Sequence, residues 1–351
     1  MFNRSRRSLI VSAAALSLFS LAPSPLASFV DDGPRDWPDG GPAKVAINVQ
    51  ASRLTSFDLR DRSHVRFGAL EFRGGLMLSS SFKHFGGLSA FRINPDGKGF
   101  LALSDKGHWF SGEITYDGAA PSGLTKVEAA PMLLENGRTI GSRGWYDSES
   151  LARDGDTVYV GLERVHQILK FDFSRAGISS RGRTIPVPAQ MTRLPANKGI
   201  ESLVMAPTDS AQAGALVAIS ERGLDAKGNI LGFLIGGPSP GQFMIRRTSG
   251  YDISDATVLR DHSLLLLERK FSLKDGIGVR IRRVPFDAIA PGAVIDGPTI
   301  FEADLGYEID NFEGLDAFET PEGETVLTLI SDDNFSFLQR TLLMQFTLIS
   351  P

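Results

Sequence analysis

The sequence predicts an all-β fold, a six-bladed β-propeller with mostly four-stranded antiparallel blades, and three observations lead there. Five times a short phrase, acidic in four of the five, is followed after a turn by an apolar strand that ends in an acidic residue. The phrases centre on Ser89, Glu149, Glu201, Asp255 and Glu313, and the strand ends are Asp105, Glu163, Glu221, Glu268 and Asp332. Successive phrases stand 60, 52, 54 and 58 residues apart, near the length of a propeller blade or array unit. The 37 Gly and 19 Pro among 351 residues supply the tight turns that many short strands need. No recurrent amphipathic helical stretch separates the strands, which argues against a parallel βα alternation.

The chain opens with Arg4, Arg6 and Arg7, an apolar run from Leu9 to Leu21, and then Pro25, Leu26 and Ala27. This three-part layout is that of a cleavable export signal over residues 1–27, and Ser5 to Leu9 is similar to a twin-arginine signal. The run is too short for a stable membrane span after cleavage. Loss of the three arginines would take the formal charge from -4 to -7. Residues 28–44, rich in Asp, Gly and Pro, read as a flexible lead, so the expected propeller domain covers 45–351 and the expected location is periplasmic or secreted.

From Val45 to Phe85 the pattern is extended, with Phe67, Leu70 and Phe72 among its apolar positions. Each later unit then follows one plan. Leu88 to Ile93 turns at Asn94, Pro95, Asp96 and Gly97 into Phe100 to Leu103; Glu149 to Ala152 turns at Asp154 and Gly155 into Thr157 to Leu162. Gly199 to Met205 leads to Leu216 to Ile219, Ile253 to Leu259 leads to Leu264 to Leu267, and Phe312 to Leu315 leads to Val326 to Ile330. Leu342 to Leu348 is the last strand. Uninterrupted apolar runs such as Leu264 to Leu267 are what strands buried on both faces require, as in stacked propeller sheets. Five units plus the strands before Phe85 make the expected six blades, at about 53 residues each.

Equivalent positions in a ring point to equivalent places, so the acidic strand ends and phrase centres should gather at one mouth of the central channel. Asp105, Glu149, Glu163, Glu201, Glu268, Glu313, Asp332 and Asp333 are the candidate metal ligands, because many hard carboxylate oxygens crowded together need a cation and suit Ca²⁺. Glu201 and Glu313 are candidate catalytic groups, with Arg164 and Arg269 to hold an anionic substrate. The plainer alternative is that each carboxylate latches blade to blade through a neighbouring arginine.

Other chemistries are excluded or weak. With no cysteine there is no thiol catalysis, thiolate zinc site or disulfide. No Gly-x-Ser-x-Gly elbow and no Gly-rich phosphate loop occur, and the five histidines never stand at i, i+4. His108 and His166 follow acidic strand ends and could carry protons there. The acidic balance argues against nucleic acid.

At the same phrases the chain resembles the phytase-like family, described as the esterase-like domain of phytase. The resemblance rests on Gly86 to Ser89, Leu101 to Gly107, Glu163 and Arg164 with Ile168 to Asp172, Asn197 to Leu203, Leu264 to Phe271, Phe312 to Leu315, and Ser331 to Phe335. It implies an exported bacterial propeller with Ca²⁺-assisted phosphoesterase or esterase activity; a small anionic or ester substrate and a monomeric state are the expectations for its partners. Where the family pattern has Glu-Gly, this chain has Glu149-Ser150 and Glu201-Ser202, which implies tighter packing at those two sites. The alternative function is a non-catalytic periplasmic binding or scaffold propeller.

Overall fold

Apolar strands punctuated by turns can bury both faces only by stacking sheets, and the chain does so in five sheets arranged as a ring. The structure, a computed structural model, describes residues 34–38, 41, 43–272 and 276–349. The expected leader, residues 1–27, lies outside them. Among the described residues no helix is long and apolar enough to cross a membrane.

Four N-terminal strands come first: β1 (Val45–Ala46), β2 (Gln50–Leu54), β3 (Arg66–Phe67) and β4 (Leu70–Ser79). The first blade follows as β5 (Leu88–Ile93), β6 (Gly99–Ser104), β7 (His108–Asp117) and β8 (Ala120–Pro131), edged by β1. The second holds β9 (Leu133–Leu134), β10 (Ser148–Asp154), β11 (Thr157–Leu162), β12 (Gln167–Asp172) and β13 (Arg181–Ile185). The third holds β14 (Ile200–Met205), β15 (Ala215–Leu224), β16 (Ile230–Gly236) and β17 (Gly241–Ile245). The fourth holds β18 (Asp252–Val258), β19 (Ser263–Ser272) and β20 (Gly276–Pro285); next, β21 (Val294–Ile295) returns to edge the third blade, and β22 (Thr299–Asp304) completes the fourth. The fifth is built from β23 (Asn311–Glu319), β24 (Thr325–Asp332) and β25 (Thr341–Leu348) with β2, β3 and β4.

The expected six blades are therefore five. The strands before Phe85 form no blade of their own: β4 pairs antiparallel with β25 from Thr341↔Leu78 to Leu348↔Leu70, and β2 pairs with β4. The reason is the open edge of β25. Three C-terminal strands leave one row of peptide groups unpaired, and the N-terminal strands satisfy it and close the ring. The recurrence of five phrases was itself the blade count.

Five apolar clusters fill the five junctions between neighbouring blades. Leu264, Leu265, Leu266 and Leu267 are all fully buried, divided between the clusters on either side of the fourth blade. The first strands β5, β10, β14, β18 and β23 line the axis. There the buried Arg92 donates to both Asp255 oxygens (2.8 and 3.0 Å) and to the carbonyls of Phe91 (2.6 Å), Leu203 (3.0 Å), Ala256 (3.4 Å) and Leu315 (3.1 Å). One guanidinium thus bonds four of the five blades and plugs the channel, leaving each mouth a blind cup.

The lead is held rather than free over residues 34–38. Arg35 O accepts from Lys83 N (3.0 Å), and the Trp37 ring stacks on His84 and meets Phe82 edge-on, each at 5.0 Å between centroids.

Candidate active site at the acidic mouth

In all five blades the ladder between the first two strands slips by one residue at the same place. The extra residues are Ser89, Glu149, Glu201, Ser254 and Glu313. A bulge leaves its residue out of the alternation and re-aims its side chain, so the recurrent phrase is a ring of bulges at one mouth. In the fourth blade the bulged residue is Ser254. Asp255 is the next residue, paired with Leu267 and committed to Arg92.

The same register defines the second ring. Asp105 N donates to Gly87 O (2.9 Å), Glu163 N to Asp147 O (2.8 Å) and Glu221 N to Gly199 O (2.8 Å), while Arg269 pairs with Asp252 and Asp332 with Asn311. The fourth member of this ring is Arg269, not Glu268. One residue along a strand reverses the face, so Glu268 lies inside its blade, fully buried, accepting from Arg280 Nε (2.5 Å) and from Arg282 Nε and Nη2 (2.9 and 2.6 Å). Glu268 is removed from the candidate ligands, and the mouth gains a cation in its place.

Arg269 reaches across the cup. It bonds Glu313 Oε1 and Asn311 Oδ1 (2.7 Å), and its Nη2 stands 3.9 Å from Glu201 and 3.7 Å from Glu221. Lys198 pairs with Glu221, and Lys106 with Asp105 at 2.7 Å. Glu163, Glu201 and Glu221 are buried and each offers an oxygen within 4.8 Å of the others. Glu163 Oε1 accepts from Gly199 N at 2.8 Å, and a Cβ at Gly199 would come within 2.8 Å of Glu163 Cγ and 2.9 Å of its carbonyl oxygen. Glycine is required where these two chains meet.

The crowding is visible in the acidities. Burial, and then Glu201, Asp105, Glu163 and Asp332, push the Glu149 carboxyl well above its ordinary value. Burial also pushes Glu201 well up against the opposing field of Arg269, with Glu221 and Glu163 adding to the rise. Glu163 is pushed up to about 7 by burial, opposed by the Gly199 N–H, and then by Glu221 and Asp147. Asp332 rises to about 7 through burial, opposed by Asn334 N–H, with Asp105 and Asp333 adding to it. Asp105 rises through burial against Lys106, and its buried Oδ1 has no hydrogen-bond partner.

Two candidates serve the scaffold. Asp333 accepts from Gly87 N (2.9 Å), Phe335 N (3.0 Å) and Thr341 Oγ1 (2.9 Å), so its oxygens clamp a loop. Arg164 is partly exposed, 3.2 Å from Asp147 and 5.1 Å above the Tyr146 ring. His166 has a buried Nδ1 without a hydrogen-bond partner, 3.1 Å from where a Gly199 Cβ would lie. His108 packs instead with Trp37 and His84, and burial lowers its pKa to about 4. Ser150, where the family pattern has Gly, is accommodated by the missing side chain of Gly161 opposite. Lys198 and Asn311 were not among the candidates; their signal was position, each within three residues before a bulged glutamate.

A cavity of about 730 Å³ opens at the opposite end, among the hairpin turns Asn94–Asp96 and Arg153–Asp156, and touches none of the mouth carboxylates. Repetition at the mouth, and not cavity size, marks the candidate site.

Fold and mouth together define a closed five-bladed propeller with a blind acidic cup. The chain belongs to the phytase-like family: the family model described as "Esterase-like activity of phytase" matches residues 83–335. No curated protein sequence matches it. Among solved structures, glutaminyl cyclase of Myxococcus xanthus is similar at 11% identity and TM-score 0.39, over 76% of this chain and 92% of that one. The RRP9 WD40 repeats are similar at 9% identity and TM-score 0.37, over 75% and 95%. Likeness at this level carries no argument about chemistry.

Proposed function

We propose that the chain is an exported hydrolase whose acidic mouth holds a divalent cation, Ca²⁺, and cleaves a phosphate ester or another small ester. The carrying observation is the crowding of buried carboxyl groups in the cup. Seven carboxylates (Asp105, Glu149, Glu163, Glu201, Glu221, Glu313, Asp332) face three cations (Lys106, Lys198, Arg269). An all-oxygen donor set fits a hard cation, and Glu163, Glu201 and Glu221 would hold it. When bound, such a cation polarises an ester oxygen and acidifies water. Glu163 and Glu201, whose burial favours their protonated forms in the cation-free cup, would release those protons as the cation binds and then serve as its ligands. Glu313 orients Arg269, which would hold an anionic group of the substrate.

The test is a calcium titration followed by thermal melting, with a panel of phosphate and carboxylic esters. Ca²⁺ should raise the melting temperature of the native chain but not of Glu201→Gln, and hydrolysis should fall by about 100-fold or more in Glu201→Gln. If Glu201→Gln and Glu313→Gln leave both unchanged, the catalytic reading fails. One observation favours the alternative of a non-catalytic propeller: Arg269 already ties the third and fifth blades together. In that case Arg269→Met would destabilise the protein whether or not Ca²⁺ is present.

A further inference from the structure

The mouth that carries the carboxylates also carries exposed apolar side chains from four blades. Tyr146 stands beside the start of β10 (40% exposed), Leu224 ends β15 (41%), and Phe271 lies two residues beyond Arg269 on the same face of β19 (75%). The loop that follows β24 adds Phe335 (41%), Phe337 (97%) and Leu338 (78%). Leaving such groups in water is unfavourable, and grouped apolar patches on a polar rim mark contact surfaces.

This loop is held in place by the site itself. Asn334 and Phe335 both adopt left-handed backbone, φ 49° and 50°, which is unfavourable for a bulky residue. Asp332 Oδ1 accepts from Asn334 N (2.6 Å) and Asp333 Oδ1 from Phe335 N (3.0 Å). The ring of Phe335 thereby abuts Gly87, whose Cβ position is 2.5 Å from Asp105 Oδ1, and lies 5.6 Å from the ammonium of Lys106. An apolar wall therefore begins at the lip of the acidic cup.

We infer that the substrate is a small amphiphile: an ester whose polar head enters the cup while an apolar tail lies on Phe335, Phe337 and Leu338. The inference rests on the cation-dependent reading of the mouth given above. The blind cup admits a head group from one side only, because Arg92 and Asp255 close the channel beneath it. A polyanion without an apolar part would leave the wall in water.

The experiment compares methylphosphonate with octylphosphonate, below its micelle concentration, on the calcium-loaded full chain by calorimetry. Octylphosphonate should bind at least about tenfold more tightly. The double variant Phe337→Ser/Leu338→Ser should lose about tenfold for octylphosphonate and leave methylphosphonate affinity and melting temperature as they were. Equal affinity for the two phosphonates overturns the inference while the cation reading stands. If neither phosphonate binds and Ca²⁺ does not raise the melting temperature, the cation reading falls and takes the inference with it. Sedimentation with anionic vesicles in place of octylphosphonate binding, or a dimer that the double variant dissociates, also overturns it.

Discussion

Glu163 and Asp332 titrate at about 7 in the folded chain, against ordinary values of 4.5 and 3.8. Between those limits the folded state holds protons that the unfolded chain has released. Their contribution to stability is therefore whole below about pH 4 and is lost as pH rises through about 7. The metal-free protein should melt at a lower temperature at pH 8 than at pH 5.5, and Glu163→Gln should recover on the order of 1–2 kcal/mol at pH 8. On the metal-binding reading, calcium would need these groups ionised, so a Ca²⁺-induced rise in melting temperature should be larger at pH 8 than at pH 5.5. Arg269→Met should cost about 3 kcal/mol by stranding Glu313, and on the metal-binding reading Ca²⁺ restores part of it. That glutamates 149, 201 and 313 stand at equivalent places of one mouth was legible because they recur. Glu268 was misplaced because composition does not distinguish a strand's last residue from its neighbour, whereas one step along a pleat reverses the side chain.

At the scale of the element, the bulge turns one side chain of an ordinary hairpin toward the mouth. Its place is repeated in five blades, yet its residue is Ser in the first and fourth. The acidic character of the mouth is thus uneven, concentrated on the second, third and fifth blades. The third-blade bulge depends on Gly199, whose amide also holds Glu163. Gly199→Ala should cost roughly 1–3 kcal/mol, because the clash involves the Glu163 carbonyl as well as its flexible side chain. On the metal-binding reading, the same variant should weaken the Ca²⁺ response in a thermal melt by displacing the Glu163 carboxylate. Sequence periodicity located these strands well, since turns and apolar runs are local signals. It could not show the slip in register, which exists only between paired strands.

At the scale of the molecule, closure makes the blades interdependent. Removal of residues 34–79 would strip β2 and β4 from the fifth blade and expose the edge of β25, and the truncated chain should not give a cooperative melting transition. Arg92→Met would leave Asp255 buried without its partner and should cost about 3–5 kcal/mol, read by denaturant unfolding, with recovery in Arg92→Met/Asp255→Leu. Neither feature announces itself in the chain: Arg92 looks like any polar residue in a strand, and its six acceptor contacts come from residues up to 223 positions away. The sequence by itself determined the all-β class, the repeating unit and the acidic character of one mouth, because turn chemistry, apolar runs and recurrence are written locally. Only the tertiary structure decided that there are five blades, that Arg269 stands among the carboxylates and that Glu268 does not. Those depend on which strand edge meets which, and pairing between distant segments follows from the open edge each leaves for the other.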